Sequence, residues 1–228
     1  MIEIDTGDGK MQAFVARPDR SPVPALVLIQ EIFGVNQVMR DLARFFAGHG
    51  FLAVVPDLFW RLEPGIQLTD KTQAEWQQAL GYMQRFDQAK GVADIARTID
   101  AARHLDGANG KVGAVGYCLG GRMAYLTAAG TDIDASVGYY GVGIEASLDK
   151  AADIRKPLML HIAAKDPYVP PPAQRQIHAR LDGDSLVTLF DYAGQDHAFA
   201  RIGGEHYDKA SADLANGRTI EFLKHHLG

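Results

Sequence analysis

Strand-length apolar runs alternate with helix-period segments along this whole chain, and no other feature restricts its fold as strongly. "PALVLIQE", "FLAVVPDL", "KVGAVGY", "DASVGYYG", "PLMLHIAA" and "SLVTLFDY" all have strand length. The first of them is continuously apolar, as expected of a strand covered on both faces. An earlier strand, "MQAFVARP", follows a hairpin turn at Gly7-Asp8-Gly9. Between these runs the spacing predicts a helix from about Asn36 to Gly48, stopped by Gly50. Residues 72–105 read as two helical stretches broken near Phe86-Asp87. "LGGRMAYLTAAG" is a helix ending at Gly130, and "PPAQRQIHARL" one with prolines in its first turn. "HYDKASADLANGRTIEFLKHHL" is a last helix, with an interruption expected near Gly217. The alternation predicts an α/β fold, with a mostly parallel central sheet and helices on both faces. No Pro-, Gly- or Ser-rich linker and no internal repeat divides the chain, so a single domain over 1–228 is expected. In open sheets of this kind, ligands bind beyond the carboxyl ends of the strands.

Composition narrows the function classes. With 47% hydrophobic and 22% charged residues the chain is globular and can bury a sizeable core. A net charge of -5 gives no electrostatic case for nucleic acid and no polybasic membrane patch. No apolar run approaches the ~20 residues of a membrane helix. The opening "MIEIDTGDGK" carries acidic residues and no apolar core, unlike a secretory signal. The single cysteine, Cys118, cannot form an internal disulfide, which fits a reducing, cytoplasmic compartment. No paired zinc spacing exists, and His225-His226 reads as a solvated helix end. Neither a metal nor a cofactor is expected.

Cys118 stands in "VGAVGYCLGG", directly after an apolar run and before a helical segment. Gly116-Tyr117-Cys118-Leu119-Gly120 is the cysteine form of G-x-S-x-G, a sharp strand-to-helix turn that exposes a nucleophile. With 24 glycines in 228 residues, a lone cysteine is flanked in this way by chance about once in ninety. The turn aims the sulfur at the positive end of a helix, which lowers a thiol's pKa from about 8.5. A nucleophile needs a base and an orienter, and elbow hydrolases order them nucleophile, acid, histidine. Asp166, just after "PLMLHIAAK", and His197, in "AGQDHAF" after "SLVTLFDY", stand in that order at strand ends. Taken alone, Asp166 before Pro167 is an ordinary turn aspartate and His197 a surface loop histidine. His161 falls mid-strand and reads as a satisfied core residue; Asp196 adjoins His197 too closely to reach the same imidazole. The oxyanion donors expected of acyl transfer are the N–H of Leu119 and, from the early "QEIFG" loop, that of Ile32. Glu31, an ionisable group at the end of an apolar strand, is either an exposed loop carboxylate or a group that controls the thiol.

The stretches "QEIFGVN", "PDLF", "GKVGAVGYCLGGR", "VGYYGVG", "KDPYVP" and "HAFAR" resemble the dienelactone hydrolase family (carboxymethylenebutenolidases) of the α/β-hydrolase fold. The resemblance runs from about residue 14 to the C-terminus. It implies a triad of Cys118, His197 and Asp166, with Glu31 holding or deprotonating the thiol. It also implies that Arg201 contacts a substrate carboxylate and that the reaction opens a dienelactone to maleylacetate, in aromatic catabolism. One departure stands out. The family carries a second carboxylate-binding arginine between Pro64-Gly65 and Phe86-Asp87, and in an ungapped register that position is Trp76. Arg61 and Arg85 are the candidates to replace it. Phe33 and Tyr117, neighbours of Ile32 and Cys118, are expected to line the substrate site with Arg201 and Trp76.

The expectation is therefore a monomeric, cofactor-free cysteine hydrolase acting on a small ester or lactone. A general carboxylesterase or thioesterase and a non-catalytic binding or redox-sensing protein using Cys118 are the rivals.

Overall fold

A computed structural model describes all 228 residues. It holds eight strands and six α-helices: β1 (Ile2–Asp5), β2 (Lys10–Ala16), β3 (Val23–Ile29), α1 (Gln37–Gly48), β4 (Leu52–Pro56), α2 (Gln73–Arg85), α3 (Gln88–Arg103), β5 (Ala108–Tyr117), α4 (Leu119–Gly130), β6 (Ala135–Tyr139), β7 (Leu158–Ala163), α5 (Pro171–Leu181), β8 (Val187–Tyr192) and α6 (Lys209–Leu227). A 3-10 segment, Ile144–Asp153, lies between β6 and β7. The strands form one sheet in the order β1-β2-β4-β3-β5-β6-β7-β8. β3 pairs with β4, β6 with β7 and β7 with β8 in parallel, while β2 runs antiparallel to both its neighbours. No helix is long and apolar enough to cross a membrane.

Contacts divide the chain into two compact units, Met1–Ala114 and Val115–Gly228, with the boundary inside β5. In the first unit every residue of β4 and the last five of β3 are buried. Helix α1 covers part of that apolar surface with Met39, Leu42 and Phe46. Its start is fixed by Asn36, whose side chain accepts the Met39 N–H at 3.1 Å, and its end by Gly50 in the left-handed region. α2 and α3 part at Phe86, which is extended, and each has its own N-cap, Thr72 and Asp87. In the second unit β6 and β7 are wholly buried, and Leu158, Leu160 and Ile162 of β7 form a core with Tyr125, Ile144 and Ile177.

One expectation needed revision, and one element was not expected at all. α6 runs unbroken through Gly217, because a helix tolerates one glycine at a cost of about 1 kcal/mol when the rest is well held. The Ile144–Asp153 segment was not foreseen; it opens on Gly143 in the left-handed region and kinks at Ser147, so it lacks a sustained helical period.

Candidate active site

Cys118 sits between β5 and α4 with φ 57 and ψ -115, a conformation that costs a non-glycine residue about 1–3 kcal/mol. The surroundings hold it there. Its N–H donates to the Tyr139 carbonyl at 3.0 Å, and its own carbonyl accepts from Gly121 at 2.9 Å. Glycine is required on both sides of the turn. A Cβ on Gly116 would overlap the Gly120 carbonyl, and one on Gly121 would lie 2.8 Å from the Gly141 Cα. Leu119, the first residue of α4, carries one of the helix N–H groups that have no intrahelical acceptor.

The parallel ladder delivers the other two groups. β7 and β8 pair in register from Leu158↔Val187 to Ala163↔Tyr192. The pairing continues past the strand ends through Ala164 N–H to Tyr192 O at 3.1 Å and Lys165 N–H to Gln195 O at 2.8 Å. The loops bearing Asp166 and His197 therefore leave side by side. Tyr140 N–H to His161 O, at 2.8 Å, ties the end of β6 to β7 in the same way. His197 Nδ1 donates to Asp166 Oδ2 at 2.6 Å, and a further hydrogen bond joins the imidazole to Cys118. Asp166 is 2% exposed, His197 7% and Cys118 9%.

Asp166 fills both roles open to it: its Oδ1 accepts the Tyr168 N–H at 2.8 Å, as a turn aspartate does, while Oδ2 holds the imidazole. Asp196 accepts the backbone N–H of His197 at 2.7 Å and leaves the ring to Asp166. Burial pushes the His197 imidazole down, but it is outweighed. The charge of Cys118 and the hydrogen bonds to Asp166 and Cys118 raise its pKa to about 10. The ring lies edge-on to Tyr140 at 5.1 Å and to Tyr168 at 4.9 Å. Tyr140 and Ala198 both have positive φ, so the backbone is strained on two more sides of the imidazole.

His161 is a core residue as read: Nδ1 meets the Tyr192 hydroxyl at 2.8 Å and Nε2 the Thr219 hydroxyl at 2.9 Å. Tyr117 is 1% exposed and faces Tyr139 at 4.7 Å, which gives it a packing task beneath the turn. Arg201 is half-buried on the loop after His197, and its N–H donates to the Ala198 carbonyl at 2.9 Å. Glu31, Ile32 and Phe33 follow β3 in the first unit and are all buried. Gly34 in the left-handed region fixes that loop, since a Cβ there would overlap the Ile66 carbonyl. Phe33 packs on Trp76 of α2, with ring centroids 5.6 Å apart. Arg61 is paired with Asp8 and with the buried Asp94 and lies over the Trp60 ring, so it is already engaged. Arg85 donates to the Gly81 carbonyl and lies over Tyr82. Tyr140 and Tyr168 were missed from sequence; "YYG" and "DPY" marked the right loops, but nothing in a tyrosine's neighbours shows that it faces a histidine so far along the chain. No group of three or more His, Cys, Asp or Glu side chains is arranged to hold a metal.

A family model described as the dienelactone hydrolase family matches residues 11–227. A protein of Azospirillum brasilense named "putative carboxymethylenebutenolidase" is 50% identical, over 100% of this chain and 99% of its own. The "carboxymethylenebutenolidase" of Pseudomonas putida is 40% identical over 97% of this chain and 94% of its own. A crystal structure of a "putative dienelactone hydrolase" from Klebsiella pneumoniae superposes with a TM-score of 0.82 at 27% identity, over 95% and 93% of the two chains.

Proposed function

The chain belongs to the dienelactone hydrolase family, and from that premise we propose that it hydrolyses a small lactone or ester through a thioester on Cys118. The observation that carries this reading is the relay Asp166–His197–Cys118, set on a strained strand-to-helix turn. The Cys118 thiolate attacks the substrate carbonyl while His197 carries the proton. The Leu119 N–H receives the developing oxyanion, and Ile32 is the second donor on the family resemblance; each such donor is worth about 3 kcal/mol. The tetrahedral intermediate collapses with cleavage of the C–O bond, and His197 gives its proton to the leaving oxygen. The sulfur is then acylated and uncharged, so the strongest influence raising the imidazole is gone, and neutral His197 can take a proton from water. Hydroxide adds to the thioester, the C–S bond breaks, and the thiolate–imidazolium pair is restored. Asp166 fixes the tautomer throughout.

Glu31 is assigned control of the thiol and Arg201 a substrate carboxylate, both on the family resemblance. The substrate class is a carboxylated dienelactone, with Trp76 in place of the second arginine. The test is turnover of dienelactone and of neutral aryl esters. Cys118→Ala is expected to abolish both, and iodoacetamide to inactivate the wild type with one-to-one labelling. Substantial residual turnover in the alanine variant would remove Cys118 as the nucleophile.

A further inference from the structure

Tyr168 is a large aromatic side chain that the fold leaves 49% exposed, although it stands beside the buried Asp166–His197 pair. Its position is not loose. The Tyr168 N–H donates to Asp166 Oδ1 at 2.8 Å, so the backbone at this residue is tied to the carboxylate that orients His197. The ring stands edge-on to the imidazole, with centroids 4.9 Å apart and planes at 78°. One edge is thus committed to the catalytic histidine, and much of the remainder is open to solvent beside it. Burial raises the phenol's pKa, and the charges of Cys118, Asp166 and Asp196 act in the same direction, opposed by Arg201. The hydroxyl therefore stays protonated, a donor, within electrostatic reach of both the reacting sulfur and the Arg201 guanidinium.

We propose that Tyr168 is a specificity-determining residue whose hydroxyl donates a hydrogen bond to a substrate carboxylate and works with Arg201. The proposal rests on the reading of the site as a lactone hydrolase and deepens it. It assigns to a phenol part of the anion recognition that Trp76 cannot give, since an indole has no carboxylate-binding fork.

The test pairs turnover with binding. In Tyr168→Phe the ring and its contact to His197 remain and only the hydroxyl is lost. A hydrogen bond to a charged acceptor predicts a loss of about tenfold in kcat/KM for dienelactone, carried by KM, with little change for a neutral aryl ester. Calorimetric titration with cis,cis-muconate, an unsaturated dicarboxylate, should show a Kd about tenfold weaker in Tyr168→Phe than in the wild type. Equal muconate binding in wild type and Tyr168→Phe, or an equal loss on anionic and neutral substrates, overturns the proposal. An absence of esterase and lactonase turnover with a tenfold difference in muconate binding would overturn the hydrolase reading and leave the anion contact standing.

Discussion

At the scale of single residues, two buried histidines with opposite surroundings make opposite predictions. His197 is raised to about 10 against the cost of burial, chiefly by its charge interaction with Cys118. Alkylating Cys118 removes that charge, so the imidazole should titrate well below 10 in the carbamidomethylated protein. NMR of the labelled ring reads this directly, and an unmoved titration would mean that the sulfur and the imidazole do not share a proton. His161 is lowered to about 3, by burial and by the charge of Arg218. In the unfolded chain it takes its proton near 6.5. Between those values the unfolded state binds more protons, so stability is full above 6.5 and falls with decreasing pH, by up to about 1.4 kcal/mol per unit. A His161→Gln variant, though less stable at pH 7, should show a shallower loss between pH 6 and 4 in urea titrations; parallel slopes would rule the histidine out as a source of acid lability. The three residues proposed as the relay, Cys118, Asp166 and His197, could be picked out of the sequence because each follows a strand and the chain order suits a nucleophile elbow. The contact of Tyr168 with His197 could not be, since an exposed tyrosine in a loop carries no pattern.

Among the elements, the glycines separate sharply. Gly116→Ala places a methyl group onto the Gly120 carbonyl, backbone against backbone, where nothing flexible can yield. A loss of at least about 1–3 kcal/mol is expected, with hydrolysis impaired beyond the loss of folded protein because the turn that aims Cys118 must open. Gly217→Ala meets nothing within 4 Å on a continuous helix and should stabilise by about 0.5–1 kcal/mol, raising Tm by roughly 1–4 °C. Thermal melts of the two variants with the wild type check both signs. The caps at Asn36, Thr72 and Asp87 made the helix starts readable within a residue or so. The Ile144–Asp153 segment escaped because a 3-10 turn broken at Ser147 never completes the two or three turns over which a 3.6-residue period can be recognised.

For the whole molecule, the α/β class follows from the alternation and the family from the motifs first read in the sequence, whereas the strand order comes from the structure. The proposal of one folding domain over 1–228 is carried by β5, a single strand in which the two compact units meet along the chain. Substrate choice is the less legible property, because it turns on one register position. If Trp76 occupies the place of the second arginine, Trp76→Arg should raise the ratio of kcat/KM for dienelactone over a neutral aryl ester by about ten- to a hundredfold, and Arg201→Ala should lower it. An unmoved ratio in Trp76→Arg would place that side chain away from the substrate. The most direct test of the central claim is the covalent intermediate. With deacylation slowed in His197→Ala, an activated aryl ester should leave one acyl group per chain, found by mass spectrometry of the peptide containing Cys118 and released by hydroxylamine. An acyl group on any other residue, or ester turnover undiminished in the Cys118→Ala variant, would contradict it.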